Sequence, residues 1–263
     1  MIHIDDFEAY CFDLDGTIYV GKQLLPGVKE MMDTLKKHNK KILFITNAPT
    51  HTREYCQQLL CSLGIATELE EVITASSLSA VYFLENAPDA SIYIVGEQAI
   101  TEEFSHHPLH VTEDPLQASH VLVGLDRTFT YDKLNLAMTA VRNGAKLIVT
   151  NPDPACPVPG GYIADTLAIA KAIEVAAGQS IDQVIGKPSA YYINKVQEKL
   201  NISKDKCLII GDRLETDILM GKNNGISTCL VLTGASSRKD IERTKIEPDY
   251  VVETVADLFN GTK

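Results

Sequence analysis

The chain has little positive charge and no concentration of it. Lys and Arg number 24 against 35 Asp and Glu, a formal net charge of −11. With no basic run and no aromatic-basic stripe, neither nucleic acid nor an anionic membrane surface is an expected partner. A phosphate-bearing small molecule stays open, because one lysine or a bound metal outweighs global charge at a site. The six cysteines (11, 56, 61, 156, 207 and 229) include no CxxC pair and mostly sit in apolar runs. They read as reduced, buried thiols. The opening MIHIDDFEAY has no apolar signal segment, and no stretch is long enough to span a bilayer. There is no internal repeat and no low-complexity tract. A soluble, cytoplasmic protein is expected.

What is present is an alternation of strand-like and helix-like segments. At 263 residues and 45% hydrophobic content the chain can hold one large α/β domain or two smaller ones. Ala9-Tyr10-Cys11-Phe12 reads as a short interior strand. A helix carrying Val28, Met31, Met32 and Leu35 follows, then the strand KILFI (41–45). A helix over 53–63 has Tyr55, Cys56, Leu59, Leu60 and Leu63 on one face and stops at Gly64. A short strand near Ile73 and a helix over roughly 77–86 complete this half. From about Pro88 a fresh series begins, with strands SIYIVG, HVLVGL and AKLIVT, a proline-rich loop NPDPACPVPGG (151–161), and an apolar helix. After QVIGKP the first style returns. The expectation is a Rossmann-like parallel-sheet α/β core of residues 1–87 and 182–263, interrupted by an α/β insert at 88–181 of roughly ninety residues.

Polar residues end three core strands: Asp13 with Asp15, Thr46 with Asn47, and Gly211-Asp212. In an open parallel sheet the carboxyl ends of the strands form a shared ligand crevice. Two carboxylates two positions apart on an extended segment point to one side, and adjacent anions need a cation or a proton between them. A metal site, an acid/base pair, or both follow. Gly186-Lys187-Pro188 adds a cation. Each element alone has a plainer reading. FDLDGT could be a surface turn, although not an EF-hand, since its sixth position is Ile18 and its twelfth Leu24. Thr46-Asn47 could cap a helix. Gly186-Lys187 is no Walker loop, because the earlier glycine would fall on Ile181. Asp217 and Glu215 could simply occupy a first helical turn, the reading kept for Glu215.

In this order and together, FDLDGTIYVGKQLLPG, FITNAPT, LIVTNPD, VIGKPS and IIGDRLETDILMGKNNGISTCLVLTG resemble the haloacid dehalogenase-like phosphatases, more closely their NagD-like, para-nitrophenyl-phosphatase branch with a large α/β cap. The resemblance spans essentially the whole chain. It implies Asp13 as nucleophile, forming an aspartyl phosphate, and Asp15 as general acid and then base. It implies Mg²⁺ held by Asp13, the main-chain carbonyl of Asp15, and Asp212, with Asp217 orienting this shell from behind. Thr46, Asn47 and Lys187 would hold the phosphoryl oxygens.

Asp15 argues against dehalogenases of the superfamily, which lack the second aspartate. Ion pumps would need membrane helices and a threonine there, and phosphomutases are set aside by cap type. A phospho-metabolite-binding or scaffold protein on the same fold is the alternative. The pattern departs in two places: Ala48 stands where many relatives carry a second asparagine, and Ala164-Asp165-Thr166 where many carry a Gly-Ser pair. Asn151, Asp153 and Asp165 are candidate substrate contacts on the cap, although turn chemistry explains the first two and helix capping the third. An insert between the Thr46 and Lys187 elements would cover the crevice and admit only a small phosphorylated metabolite. Sugar phosphates and nucleoside monophosphates both fit, and a homo-oligomer is left open.

Overall fold

Every residue of the strand Ala9–Phe12 is buried. Lys41–Thr46 pairs with it on one side and Cys207–Gly211 on the other, both parallel. A strand covered on both faces has no solvent side, so its sequence is apolar throughout instead of alternating. The structure, a computed structural model, describes residues 2–158 and 160–259. Pro159, inside the proline-rich segment, lies outside the described residues.

Chain contacts divide the protein into two compact units. The first comprises the chain up to Thr46, Glu54–Ile73, and everything from Lys187 onward. Its sheet has six strands in the order Tyr250–Val252, Ser227–Val231, Cys207–Gly211, Ala9–Phe12, Lys41–Thr46, Val72–Thr74. The chain runs outward from Ala9–Phe12 to one edge, then returns to build the other side from Cys207–Gly211. The switch point of the sheet therefore lies beside Asp13, where ligands of such sheets bind. The register pairs Phe12 with both Phe44 and Ile210. One residue further on, Asp13 is level with Ile45 and Gly211, next to Thr46 and Asp212. One face of the sheet, with Tyr10, Phe12, Phe44, Leu208 and Ile210, packs on Val28, Met31, Met32, Leu35, Cys56 and Leu60. Those residues sit on helices Val28–Lys37 and Arg53–Ser62 at the expected spacing. Tyr55, Leu59 and Leu63 are only partly buried against this core, and Gly64 ends the turn at φ +86°.

The second unit comprises residues 47–53 and 74–186. Its parallel sheet runs Gln183–Val184, Lys146–Val149, His120–Val123, Ser91–Val95, His110–Val111. Helices Tyr131–Arg142 and Thr166–Ala177 cover it with Ala137, Ala140, Val141, Ile169, Ala170 and Ile173. The architecture is thus a parallel α/β core with a second parallel α/β unit.

The division differs from the expected insert at 88–181, for reasons of packing. Helix Ala75–Asn86 belongs with the second unit because Phe83 stacks edge-on to Phe104 at 5.7 Å and His120 at 5.4 Å. Residues 182–186 do so because Gln183–Val184 pairs with Lys146–Val149 and the Gly186 amide donates to the Thr150 carbonyl at 2.7 Å. The segment expected as a proline-rich loop is in part a β-hairpin, Ala155–Val158 antiparallel to Gly161–Ala164. Gly160, at φ +88°, supplies the left-handed backbone that tight hairpin connections need. All six cysteines are free, with Cys11, Cys56, Cys207 and Cys229 buried, Cys156 half-buried and Cys61 exposed. Among the described residues no helix is long and apolar enough to cross a membrane.

Candidate active site

At the strand ends of the first unit a single ammonium joins two carboxylates. Lys187 Nζ donates to Asp13 Oδ1 at 2.5 Å and to Asp217 Oδ1 at 2.6 Å, with the Ile45 carbonyl at 3.3 Å. Lys187 and Asp217 are each 1% exposed. Asp212, at the end of Cys207–Gly211, completes a group in which oxygens of Asp13, Asp212 and Asp217 lie within 4.8 Å of one another. Asp217 lies on a wide helical turn, Leu214–Ile218, and its Oδ2 accepts from the Arg213 amide at 3.3 Å. The first-turn reading of Asp217 is therefore only half of its role, since the same side chain reaches Lys187.

The charges explain why the group invites a cation. Three buried carboxylates face one buried ammonium, so full ionisation would leave two negative charges unbalanced. Burying net charge is far costlier than burying a matched pair. Burial pushes the Asp13 carboxyl well above the usual range, and Asp217 and Asp212 add to this against the pull of Lys187. Burial, then Asp217, push Asp212 up to about 6. Burial works against the Lys187 charge, yet Asp13 and Asp217 hold the ammonium above its ordinary value. An all-oxygen donor set with two surplus negative charges fits a hard divalent cation such as Mg²⁺.

Asp15 is placed differently from the strand-pleat expectation. The strand ends at Phe12, and the Leu14 carbonyl accepts from the Ile18 amide at 2.8 Å, so Asp15 stands in a turn and is exposed. Its Oδ1 accepts from the Gly21 amide at 3.2 Å, a contact set by the small hairpin Tyr19–Val20/Gln23–Leu24. Thr46 is buried at the end of its strand.

Several residues that hold the site escaped the sequence reading. A Cβ on Gly211 would lie 2.3 Å from Asp217 Cγ, and one on Gly234 2.0 Å from Asp212 Oδ2. Both glycines exist so that carboxylates can lie flat on the backbone. The Ala235 amide donates to the same Asp212 oxygen at 2.6 Å. Tyr192, fully buried on helix Ala190–Leu200, places its hydroxyl 2.9 Å from the Ile73 carbonyl and 3.2 Å from the Thr46 carbonyl. It thereby ties two strand ends together beside Thr46. A tyrosine five residues after Lys187 was the available signal, but helical periodicity alone assigns it to the core.

In the second unit, Asn47, Asn151 and Asp153 come together. Asn47 Nδ2 donates to Asp153 Oδ2 at 2.9 Å, and Asn151 Nδ2 donates to the same oxygen at 2.7 Å. Asp165 caps helix Thr166–Ala177, its Oδ1 accepting from the Thr166 amide at 2.5 Å and the Thr166 hydroxyl at 3.0 Å. Burial, with Asp153 nearby, pushes the Asp165 carboxyl up.

Comparison with known proteins agrees with this geometry. Family models match at both ends of the chain: haloacid dehalogenase-like hydrolase over residues 10–110 and HAD-hydrolase-like over 184–258. The chain is 34% identical over 246 residues to the sugar-phosphatase AraL of Bacillus subtilis, covering 94% of this chain and 90% of that one. Among solved structures, 4-nitrophenylphosphatase from Thermotoga maritima superposes with a TM-score of 0.92 at 32% identity, covering 99% of both chains. NagD from E. coli superposes at 0.84 and 26% identity, covering 95% of this chain and 98% of that one.

Two outcomes follow from the electrostatics and from Tyr192. A carboxyl raised in the fold holds a proton that the unfolded chain has already lost. Asp212 therefore removes stability as pH rises from the unperturbed value of about 4 through about 6, and a divalent cation bound to the group would restore it above that. Metal-stripped protein should gain roughly 5–10 °C in melting temperature at pH 7.5 with Mg²⁺ at about a hundred times its Kd, and much less at pH 5. Equal shifts at both pH values in differential scanning fluorimetry would contradict the assignment. Tyr192→Phe removes the donor between two buried carbonyls, so urea unfolding should show a loss of about 1–3 kcal/mol, accompanied by a lower kcat. Unchanged stability would mean that the hydroxyl does not hold these strand ends.

Proposed function

The chain belongs to the haloacid dehalogenase-like hydrolases, in their NagD-like branch, and is a phosphatase; on that premise we propose that it hydrolyses small phosphate monoesters, sugar phosphates or nucleoside monophosphates, through an aspartyl phosphate on Asp13. The observation that carries this reading is the Asp13 carboxylate held 2.5 Å from the Lys187 ammonium at a strand end, beside Asp212 and Asp217. A lone carboxylate is repelled by a phosphate dianion, and Lys187 offsets that repulsion. The sugar-phosphatase relative favours sugar phosphates within this class.

In the first half-reaction an Asp13 oxygen attacks phosphorus in line with the ester oxygen. The new oxygen–phosphorus bond forms as the ester bond breaks, and the Asp15 carboxyl gives its proton to the departing alcohol. In the second, the Asp15 carboxylate takes a proton from a water that attacks the same phosphorus. The bond to Asp13 breaks, and inorganic phosphate leaves. Lys187, the Thr46 hydroxyl and the Asn47 amide orient the phosphoryl oxygens, the main task in a transfer of this kind. The Gly21 amide at 3.2 Å steers Asp15. Asp13, Asp212 and the Asp15 main-chain carbonyl would hold Mg²⁺, with Asp217 behind them, and the bound cation would neutralise charge shared between Asp13 and the phosphoryl group.

The test is hydrolysis by purified protein with Mg²⁺ of para-nitrophenyl phosphate, sugar phosphates, nucleoside monophosphates and phosphopeptides, read as kcat/KM. Small esters should be turned over and phosphopeptides little; the reverse ranking would overturn the small-substrate reading. Asp13→Asn should abolish turnover while leaving the fold intact. Asp15→Asn should lose about 10²–10⁴-fold. Full activity in Asp13→Asn would remove it as nucleophile. Chelator should stop the reaction, Mg²⁺ restore it and Ca²⁺ inhibit, because calcium accepts a looser, higher-coordinate shell than magnesium and would hold the Asp13 carboxylate less strictly. Undiminished turnover after exhaustive chelation would refute the metal requirement.

A further inference from the structure

Asp153 directs one carboxylate oxygen at two side-chain amides. Its Oδ2 accepts from Asn47 Nδ2 at 2.9 Å and from Asn151 Nδ2 at 2.7 Å, and the carboxylate is only 6% exposed. The orientation of Asn151 is fixed from its other end, where the fully buried Thr150 hydroxyl donates to Asn151 Oδ1 at 2.8 Å. Asn47 is bounded at its other end by close packing. Gly186 lies against its carbonyl end, and a Cβ there would be 2.6 Å from Asn47 Oδ1 and 2.5 Å from the Thr150 carbonyl. The Gly186 amide is itself anchored on the Thr150 carbonyl. The plane of the Asn47 amide is thus set by a carboxylate at one edge and a glycine backbone at the other.

We propose that Asp153 is a positioning residue for Asn47 instead of the substrate contact that its place in the sequence offers. The inference rests on the function proposed above, in which the Asn47 amide holds the phosphoryl group. A side-chain amide that donates to a buried, fixed oxygen is held in one plane and one orientation. Asp153 therefore orients Asn47. Every substrate presents the same phosphoryl group, so the effect of Asp153 is the same for all of them. A contact with the alcohol portion would instead discriminate between substrates.

The experiment compares Asp153→Ala, Asn47→Ala and the double variant on para-nitrophenyl phosphate and a hexose phosphate, with inorganic phosphate as competitive inhibitor. Misplacing a catalytic contact loses about ten- to a hundredfold. Asp153→Ala should lose kcat/KM in that range by the same factor on both esters. Its inhibition constant for inorganic phosphate, which has no leaving group, should rise. The double variant should fall within about twofold of Asn47→Ala alone, since the two residues act as one unit. Asp153→Asn keeps an acceptor of the same shape, should recover most of the loss, and serves where Asp153→Ala does not fold. A loss confined to the hexose phosphate with phosphate inhibition unchanged, or losses that add in the double variant, would overturn the proposal. Wild-type protein that hydrolyses neither ester would overturn the proposed function itself. Full activity in Asn47→Ala, with active wild type, would remove the phosphoryl contact and this inference while leaving the phosphatase reading in place.

Discussion

One buried ammonium organises this protein. Lys187 stands between Asp13 and Asp217, at 2.5 and 2.6 Å, with almost no access to water. Removing the lysine would leave three carboxylates facing one another in a low dielectric, and breaking a buried pair in this way typically costs about 3–5 kcal/mol. The surrounding backbone accommodates this arrangement. Gly211 and Gly234 have no Cβ because Asp217 and Asp212 occupy that space. Tyr192 pins the strand end that carries Thr46. The two negative charges left over suit this group to a divalent cation.

Much of the site was legible because parallel sheets have a simple rule. Asp13, Thr46 and Asp212 each follow an apolar run, and the register of Ala9–Phe12 with its two neighbours brings all three strand ends level. Lys187 was legible only as part of the set, since a single lysine after Gly186 carries no signal alone. Asp217 was read from resemblance, and its contact with Lys187 depends on a wide helical turn that periodicity does not reveal. Asp15 shows where local reasoning failed: the two-residue pleat ends at Phe12, and its orientation comes from the Gly21 amide across a hairpin. Tyr192 was hidden for the opposite reason, because a buried tyrosine on an amphipathic helix looks like core until its hydroxyl is located.

The second unit gathers a polar cluster whose side chains make specific contacts within that unit. Asn151, Asp153 and Asp165 were candidate substrate contacts by position. Asp165 spends one oxygen on the amide and hydroxyl of Thr166, a helix cap worth about 1 kcal/mol. Asp153 gives one oxygen to Asn47 and Asn151. The boundary residues follow the same logic. Residues 182–186 read as core by motif, yet Gln183–Val184 adds a strand to the second sheet. Gly186 thus ends a segment of the second unit, and Lys187 begins the last segment of the first.

The central claim is that phosphorus is attacked first by Asp13 and only then by water. The stereochemistry of a phosphoryl group made chiral with oxygen isotopes tests it most directly, by transfer to an acceptor alcohol that keeps the product chiral. Two successive in-line displacements, one onto Asp13 and one off it, give retention of configuration. Inversion would mean a single direct displacement and would contradict the account.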